Sequence, residues 1–311
     1  MNREPRLAML AALGLSSLLL GCEPPKTGSG GGGSASRPTS KPAGKAPAAE
    51  KKETPDKGEP GDKPAEDGPG DTPDRAAGFD HSAFDKLLKT YVTDQSRVDY
   101  AAWKAKDLKT LDAYLATVKA AKPDALPSAA HKKAFWINVY NAWTIRSILA
   151  KYPLESILDI AKDGGDFHVW KKNPITIDGK PYNLDTIEKQ ILLKDLAEPR
   201  AHFAVNCASI GCPPLKPSAW SAATLDEDFA ANARTYFALP GNFSYDAASK
   251  TVGISQLFDW YKADFGGTPD KVQKALAPYV PNAEAKKLME SGGATLKYLD
   301  YNWKLNDAKG S

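Results

Sequence analysis

Residues 23 to 77 contain no Val, Ile, Leu, Met, Phe, Trp, Tyr or Cys; they are built from Gly, Pro, Ser, Thr, Ala, Asn-free polar stretches, Lys, Arg, Asp and Glu. A segment with nothing to bury cannot offset the entropy of ordering its chain, so this composition predicts a disordered spacer. Its nine Lys or Arg against ten Asp or Glu nearly cancel, which argues against a polybasic tether for anionic surfaces. As a flexible coil it would span roughly 40 Å root mean square, and its prolines extend that further. Folding is thereby confined to residues 79 to 311.

Before the spacer, Arg3 and Arg6 precede an apolar or small run from Leu7 to Leu20. That run is short for a membrane span of about 20 residues and reads as a secretory signal peptide over 1–21. Leu19-Leu20-Gly21-Cys22 resembles the bacterial lipobox, whose cysteine is lipidated and becomes the first mature residue. The expectation is therefore a lipid anchor at Cys22, a linker through residue 78, and a place in the bacterial cell envelope, on the outer membrane and facing the periplasm or the surface. The whole chain of 311 residues carries a formal net charge of only +3, too little to suggest nucleic acid as a partner.

From Phe79 onward apolar residues return at helical spacing, over 84–92 and again over 108–118, with SRVDYAAW between them as an extended link. The segment 128–152 is the strongest helix. Between 134 and 149 it has almost no polar face, which means burial nearly all round. Asn138 and Asn141 lie in that apolar stretch, three apart and so neighbours on one face. Buried amides must be paired, either as a core network that fixes the helix or as groups that orient a site. Pro153 ends the helix. A short helix in LESILDI, a hairpin turning at Asp178-Gly179, and a helix over about 184–193 capped by Asn183 or Asp185 follow. HFAVNC reads as a buried strand. A Thr224-to-Glu227 capping box opens a helix to about Leu239, two strands flank AASK near 243–254, and Ser255 caps a helix in QLFDWYKADF. Helices over about 269–278 and 283–291 and a last strand in TLKYLDYNWKL complete a single mixed α+β domain, a buried central helix with short strands.

Most of the reactive side chains fall in RAHFAVNCASIGCPP, 200–214. With Cys22 assigned to the lipobox, Cys207 and Cys212 remain as a pair in an oxidising compartment, and ASIG between them permits the turn a disulfide needs. In the alternative, Cys207 is the nucleophile of a thiol-dependent amide hydrolase or acyl transferase, with His202 or His168 as base and Asn138, Asn141 or Asp166 orienting it. His202 and Cys207 are five apart, so on a regular strand they point to opposite faces, and they meet only if the strand breaks near Asn206. A metal corner from His202, Cys207, Cys212 and His168 matches no zinc spacing, so neither metal nor cofactor is expected. Asn206, His168 and Tyr140 are candidates to contact a ligand, peptidoglycan or an envelope protein being the partners considered. Trp170, Trp220 or Trp260 could form a ligand platform, with the core as the plainer place for each. His81 and His131, near helix starts, are expected to be solvent-exposed.

The residues FWINVYNA, VDY near Tyr100, NLDTIE, RAHFAVNCASIGCPPL and YLDYNWKLN together resemble the uncharacterised family known as domain of unknown function 547, over nearly all of 79–311. The resemblance implies no established activity. It marks Asn138, Asn141, His202, Asn206, Cys207 and Cys212 as family-motif positions. Where family members often carry a histidine after the isoleucine-glutamate pair, this chain has Lys189.

Overall fold

The structure, a computed structural model, describes residues 78–161, 168–172 and 174–309. The signal peptide, Cys22, the linker, Asp166 and the side chain of His168 lie outside the described residues.

The central helix is α4, Ala129–Lys151, following α1 (Ser82–Tyr91), α2 (Tyr100–Lys106) and α3 (Leu108–Ala120). Ser128 starts α4 by accepting a hydrogen bond from the His131 N–H, and Pro153 prevents its continuation beyond the extended Tyr152. Phe135, Ile137, Val139, Ala142, Ile145, Ile148 and Leu149 are all buried, so α4 presents apolar surface on every side, as its sequence requires. Helices α1 and α3 pack around it with Phe84 stacked on Tyr114, forming the larger of two cores. The link SRVDYAAW is extended only at its start: Val98 bridges Val92 and Asp307, after which Asp99 caps α2 through the Ala102 N–H. Asp99 is a good N-cap, and the reading of this piece as extended missed that.

Strands β1 (Ile175–Ile177) and β2 (Lys180–Tyr182) form the expected hairpin, with Asp178 at φ 51° and Gly179 at φ 71°, the left-handed pair a two-residue turn demands. Next comes Thr186–Asp195, a π-helix whose start is held by the Asn183 side chain on the Thr186 N–H. Helix α5, Leu225–Ala238, follows, but Thr224 and Glu227 do not form a capping box; the Thr224 hydroxyl donates to Asp228 instead. The second core gathers Phe203, Tyr236, Phe237 and Phe258 under a three-stranded sheet. In that sheet β3 (Phe243–Asp246) pairs antiparallel with β4 (Thr251–Ser255), and β4 pairs parallel with β5 (Thr295–Leu299). Between β4 and β5 run α6 (Leu257–Trp260), begun by the Ser255 hydroxyl, α7 (Pro269–Leu276) and α8 (Ala283–Glu290). The described chain is thus an α+β fold.

HFAVNC is buried but is not a strand. Pro199–Phe203 is a 3-10 helix, and the chain then runs irregularly to the cysteines. Glu198 caps it by accepting from the Arg200 N–H, and Pro199 supplies the fixed φ of a helical start. An apolar run without polar interruptions satisfies a buried 3-10 turn as well as a buried strand, and the cap decides.

Candidate functional site

The site begins on α4. The Asn138 amide donates to the Trp220 carbonyl at 2.8 Å and accepts from the Trp220 N–H at 2.9 Å. One turn on, Asn141 donates to the Ala204 carbonyl at 3.0 Å and accepts from the Asn206 N–H at 2.8 Å. Each side chain completes the hydrogen bonding of a backbone that has no strand to pair with, which is why two amides survive in an apolar helix. Both are spent on backbone, and neither orients a cysteine or a histidine.

Asn206 continues the relay. Its amide donates to the Pro213 carbonyl at 2.7 Å and accepts from the Ala208 N–H at 2.8 Å, so both ends of the 207–212 loop hang on one side chain. Within that loop Ala208 takes φ 62°, and Cys207 and Cys212 are joined, S–S 2.03 Å. The expected bridge is present. The residues after β5 cover it: the Gly211 N–H donates to the Asn302 carbonyl at 2.8 Å, and Ile210 N–H to Lys304 at 2.8 Å. A Cβ on Gly211 would lie 2.9 Å from the Asn302 nitrogen, so only glycine permits this approach. The Tyr301 hydroxyl lies 3.1 Å from each sulfur and 2.9 Å from the Ser209 hydroxyl. Beside the loop is a cavity of about 280 Å³ whose walls include Arg97, Asn206, Ser209, Cys212, Asn302 and Asn306.

His202 belongs to a different cluster. Its Nε2 is 2.8 Å from Asp264 Oδ2, and its ring lies on Tyr261 with centroids 3.9 Å apart. Tyr261 donates to one oxygen of Glu188 at 2.7 Å, and Tyr140 to the other at 3.1 Å. Glu188 is 4% exposed and His202 2%, so this is a buried polar network with an outlet at the partly exposed Asp264. Tyr140 therefore faces Glu188 in the interior. His202 and Cys207 are not a hydrogen-bonded dyad in this structure. With both sulfurs in a disulfide, the cysteines are not thiolates available to a metal.

Three other expectations resolve in the same geometry. Trp170 and Trp220 are core residues, at 5% and 2% exposure, whereas Trp260 is half-buried against Tyr301 and Trp303. His81 is not an exposed bystander. Its Nδ1 meets the Tyr114 hydroxyl at 2.7 Å and burial pushes its pKa down to about 3. Lys189, beside Glu188 on the π-helix, pairs with Asp185 at 2.6 Å.

Residues 124–237 match a family model described as "Protein of unknown function, DUF547". That segment is similar to the DUF547 family. No curated protein and no solved structure matches the chain. The matched DUF547 segment contains Asn138, Asn141, Glu188, His202 and the disulfide loop, while Arg97, Tyr261, Asp264, Tyr301 and Asn306 lie outside it. Sequence reasoning passed over Glu188, Asp264 and Tyr301. Glu188 falls in the first turn of its helix, where an acid is unremarkable, and nothing local distinguishes the other two.

Proposed function

We propose that this DUF547 protein is a lipoprotein of the bacterial cell envelope that binds a small envelope ligand in the cavity beside the disulfide loop. The observation that carries the binding reading is the cavity itself. Amides of Asn206, Asn302 and Asn306, the Ser209 hydroxyl and Arg97 share its wall with Pro213, Pro214 and Leu239, the mixture of fixed polar groups and apolar surface that ligand pockets use. Its floor is a loop held by a disulfide and by backbone hydrogen bonds, so little ordering has to accompany binding. Anchoring rests on Leu19-Leu20-Gly21-Cys22 and on the spacer that follows it. Among the described residues no helix is long and apolar enough to cross a membrane. In this reading peptidoglycan fragments are the first ligands to try.

Trp260 and Trp303 stack near Tyr301, which touches the disulfide loop beside the cavity, so tryptophan emission reports on that loop. Titration of the mature chain with soluble peptidoglycan fragments is expected to change that emission saturably, and Asn302→Ala to weaken the response. An unchanged emission together with no retention on intact sacculi would sink the ligand assignment. Metabolic labelling with palmitate, present in the wild type and lost in Cys22→Ser, tests the anchor separately.

A further inference from the structure

The disulfide loop has two unequal sulfurs. Cys212 lines the cavity, whereas Cys207 is not part of its wall. Hydrogen-bond donors also favour Cys212. The Cys207 N–H points at Cys212 Sγ from 2.9 Å, the Tyr301 hydroxyl lies 3.1 Å from it and the Ser209 hydroxyl 3.4 Å. Tyr301 and Ser209 stand at the same distances from Cys207 Sγ, so the difference is the backbone N–H, which serves Cys212 alone. Donors held in place around Cys212 Sγ stabilise its thiolate, which makes it the reactive nucleophile of the reduced pair and the group that departs from a mixed disulfide, whereas its place on the cavity wall, not leaving-group strength, directs the first attack to Cys212. Among the described residues that line the cavity, Arg97 is the only charged one, and no carboxylate opposes it.

We infer that Cys207–Cys212 is a thiol–disulfide exchange site in which Cys212 is the sulfur that takes up and releases a small thiol bearing a carboxylate. The incoming thiol loses its proton to solvent and its thiolate attacks Cys212 Sγ. The bond between the two protein sulfurs breaks, Cys207 leaves as a thiolate beside the Tyr301 and Ser209 hydroxyls, and it takes a proton from solvent. The product is a mixed disulfide between Cys212 and the small thiol, whose body occupies the cavity with its carboxylate toward Arg97. A second thiol molecule attacks the small-molecule sulfur of that mixed disulfide. Cys212 then departs as a thiolate held by the Cys207 N–H and the two hydroxyls, and a symmetrical small disulfide is released. Two thiols are oxidised to one disulfide while the protein disulfide gains two electrons and two protons. The reverse sequence reoxidises the pair. This site depends on the loop and the cavity wall, not on the peptidoglycan ligand proposed above, and its test uses neither sacculi nor their fragments.

The test is to incubate the oxidised mature chain with reduced glutathione, quench with acid and locate the adduct by fragment-ion mass spectrometry. Glutathione is expected on Cys212 over Cys207 by about tenfold or more. Arg97→Gln is expected to lower the glutathione adduct while leaving adduct formation with 2-mercaptoethanol, an uncharged thiol without a carboxylate, unchanged. With Cys207→Ser, Cys212 alone should react with oxidised glutathione, and adding Tyr301→Phe should slow that reaction about fivefold at neutral pH, the value of one hydrogen bond. If Cys207→Ser does not fold, the wild-type experiment stands by itself. Glutathione on Cys207, equal labelling of both cysteines, or adducts formed only in denaturant would each overturn the assignment, and an equal fall for 2-mercaptoethanol in Arg97→Gln would overturn the carboxylate preference.

Discussion

The two ends of the stretch 200–214 are both buried and are held in different ways. At the histidine end, Glu198 caps a 3-10 turn, His202 lies on Tyr261, and Asp264 supplies the outer contact from about sixty residues further on. At the cysteine end, backbone is pinned by Asn141 and Asn206, and the segment after β5 covers the loop while leaving Cys212 on a cavity. One end faces aromatic rings and carboxylates in the interior. The other, also buried, borders a cavity lined by asparagines. Proximity in sequence between a histidine and a cysteine therefore says little about shared chemistry when a helical turn and an irregular run separate them.

Asn141 joins the two ends, since it bonds Ala204 on one side and Asn206 on the other. Asn141→Ala leaves a buried carbonyl and a buried N–H without that partner, and we expect a loss of about 3 kcal/mol in urea unfolding, with both ends loosened together. A loss under about 1 kcal/mol would show that the ends are independent. Glu188→Ala strikes the histidine end alone. It removes the acceptor of two tyrosine hydroxyls and leaves a void, and a cost of about 2 to 3 kcal/mol is expected with the cavity's glutathione reaction intact. Loss of that reaction in a folded Glu188→Ala protein would break the separation.

Replacing both cysteines by serine should cost only about 2 kcal/mol, because a short loop contributes little chain entropy to a disulfide. Thermal unfolding of the double variant against wild type measures it, and a far larger loss would make the bridge a support of the whole fold. The smallest effect concerns acid. Burial pushes the Glu198 carboxyl up, but hydrogen bonds from Arg200 and Lys133 more than reverse this and leave it below its ordinary 4.5. A lowered folded value contributes stability that is complete above 4.5 and is lost as pH falls through the folded value. Wild type should therefore lose stability more steeply than Glu198→Gln below that pH, and parallel profiles would remove Glu198 as the acid-sensitive cap.

Much of the fold was legible because its signals are local. The apolar surround of α4, Ser128 before it and Pro153 after it set that helix, and Asp178-Gly179 set the hairpin. The disulfide was legible from the spacing of Cys207 and Cys212 around a turn-forming ASIG. HFAVNC misled because an uninterrupted apolar run describes burial and not conformation, and the features that select a 3-10 turn, Glu198 and Pro199, precede it. The partners of the site were out of reach for a different reason. Asp264 and Tyr301 meet His202 and the sulfurs only through tertiary packing, and Glu188 turns inward from a π-helix that no periodicity announces.

The segment after β5 has a consequence in time. It ties Val98, Glu155 and the disulfide loop together through the backbone of residues 302–308, with Asn306 also accepting from the Tyr100 hydroxyl. A ribosome adds those residues after the cysteines, the two asparagines and both cores' helices have been made. The nascent protein thus passes through a period in which Cys207 and Cys212 are adjacent but uncovered, open to whatever oxidant joins them, before the segment after β5 lays Tyr301 over the bridge and leaves the cavity as the approach to Cys212.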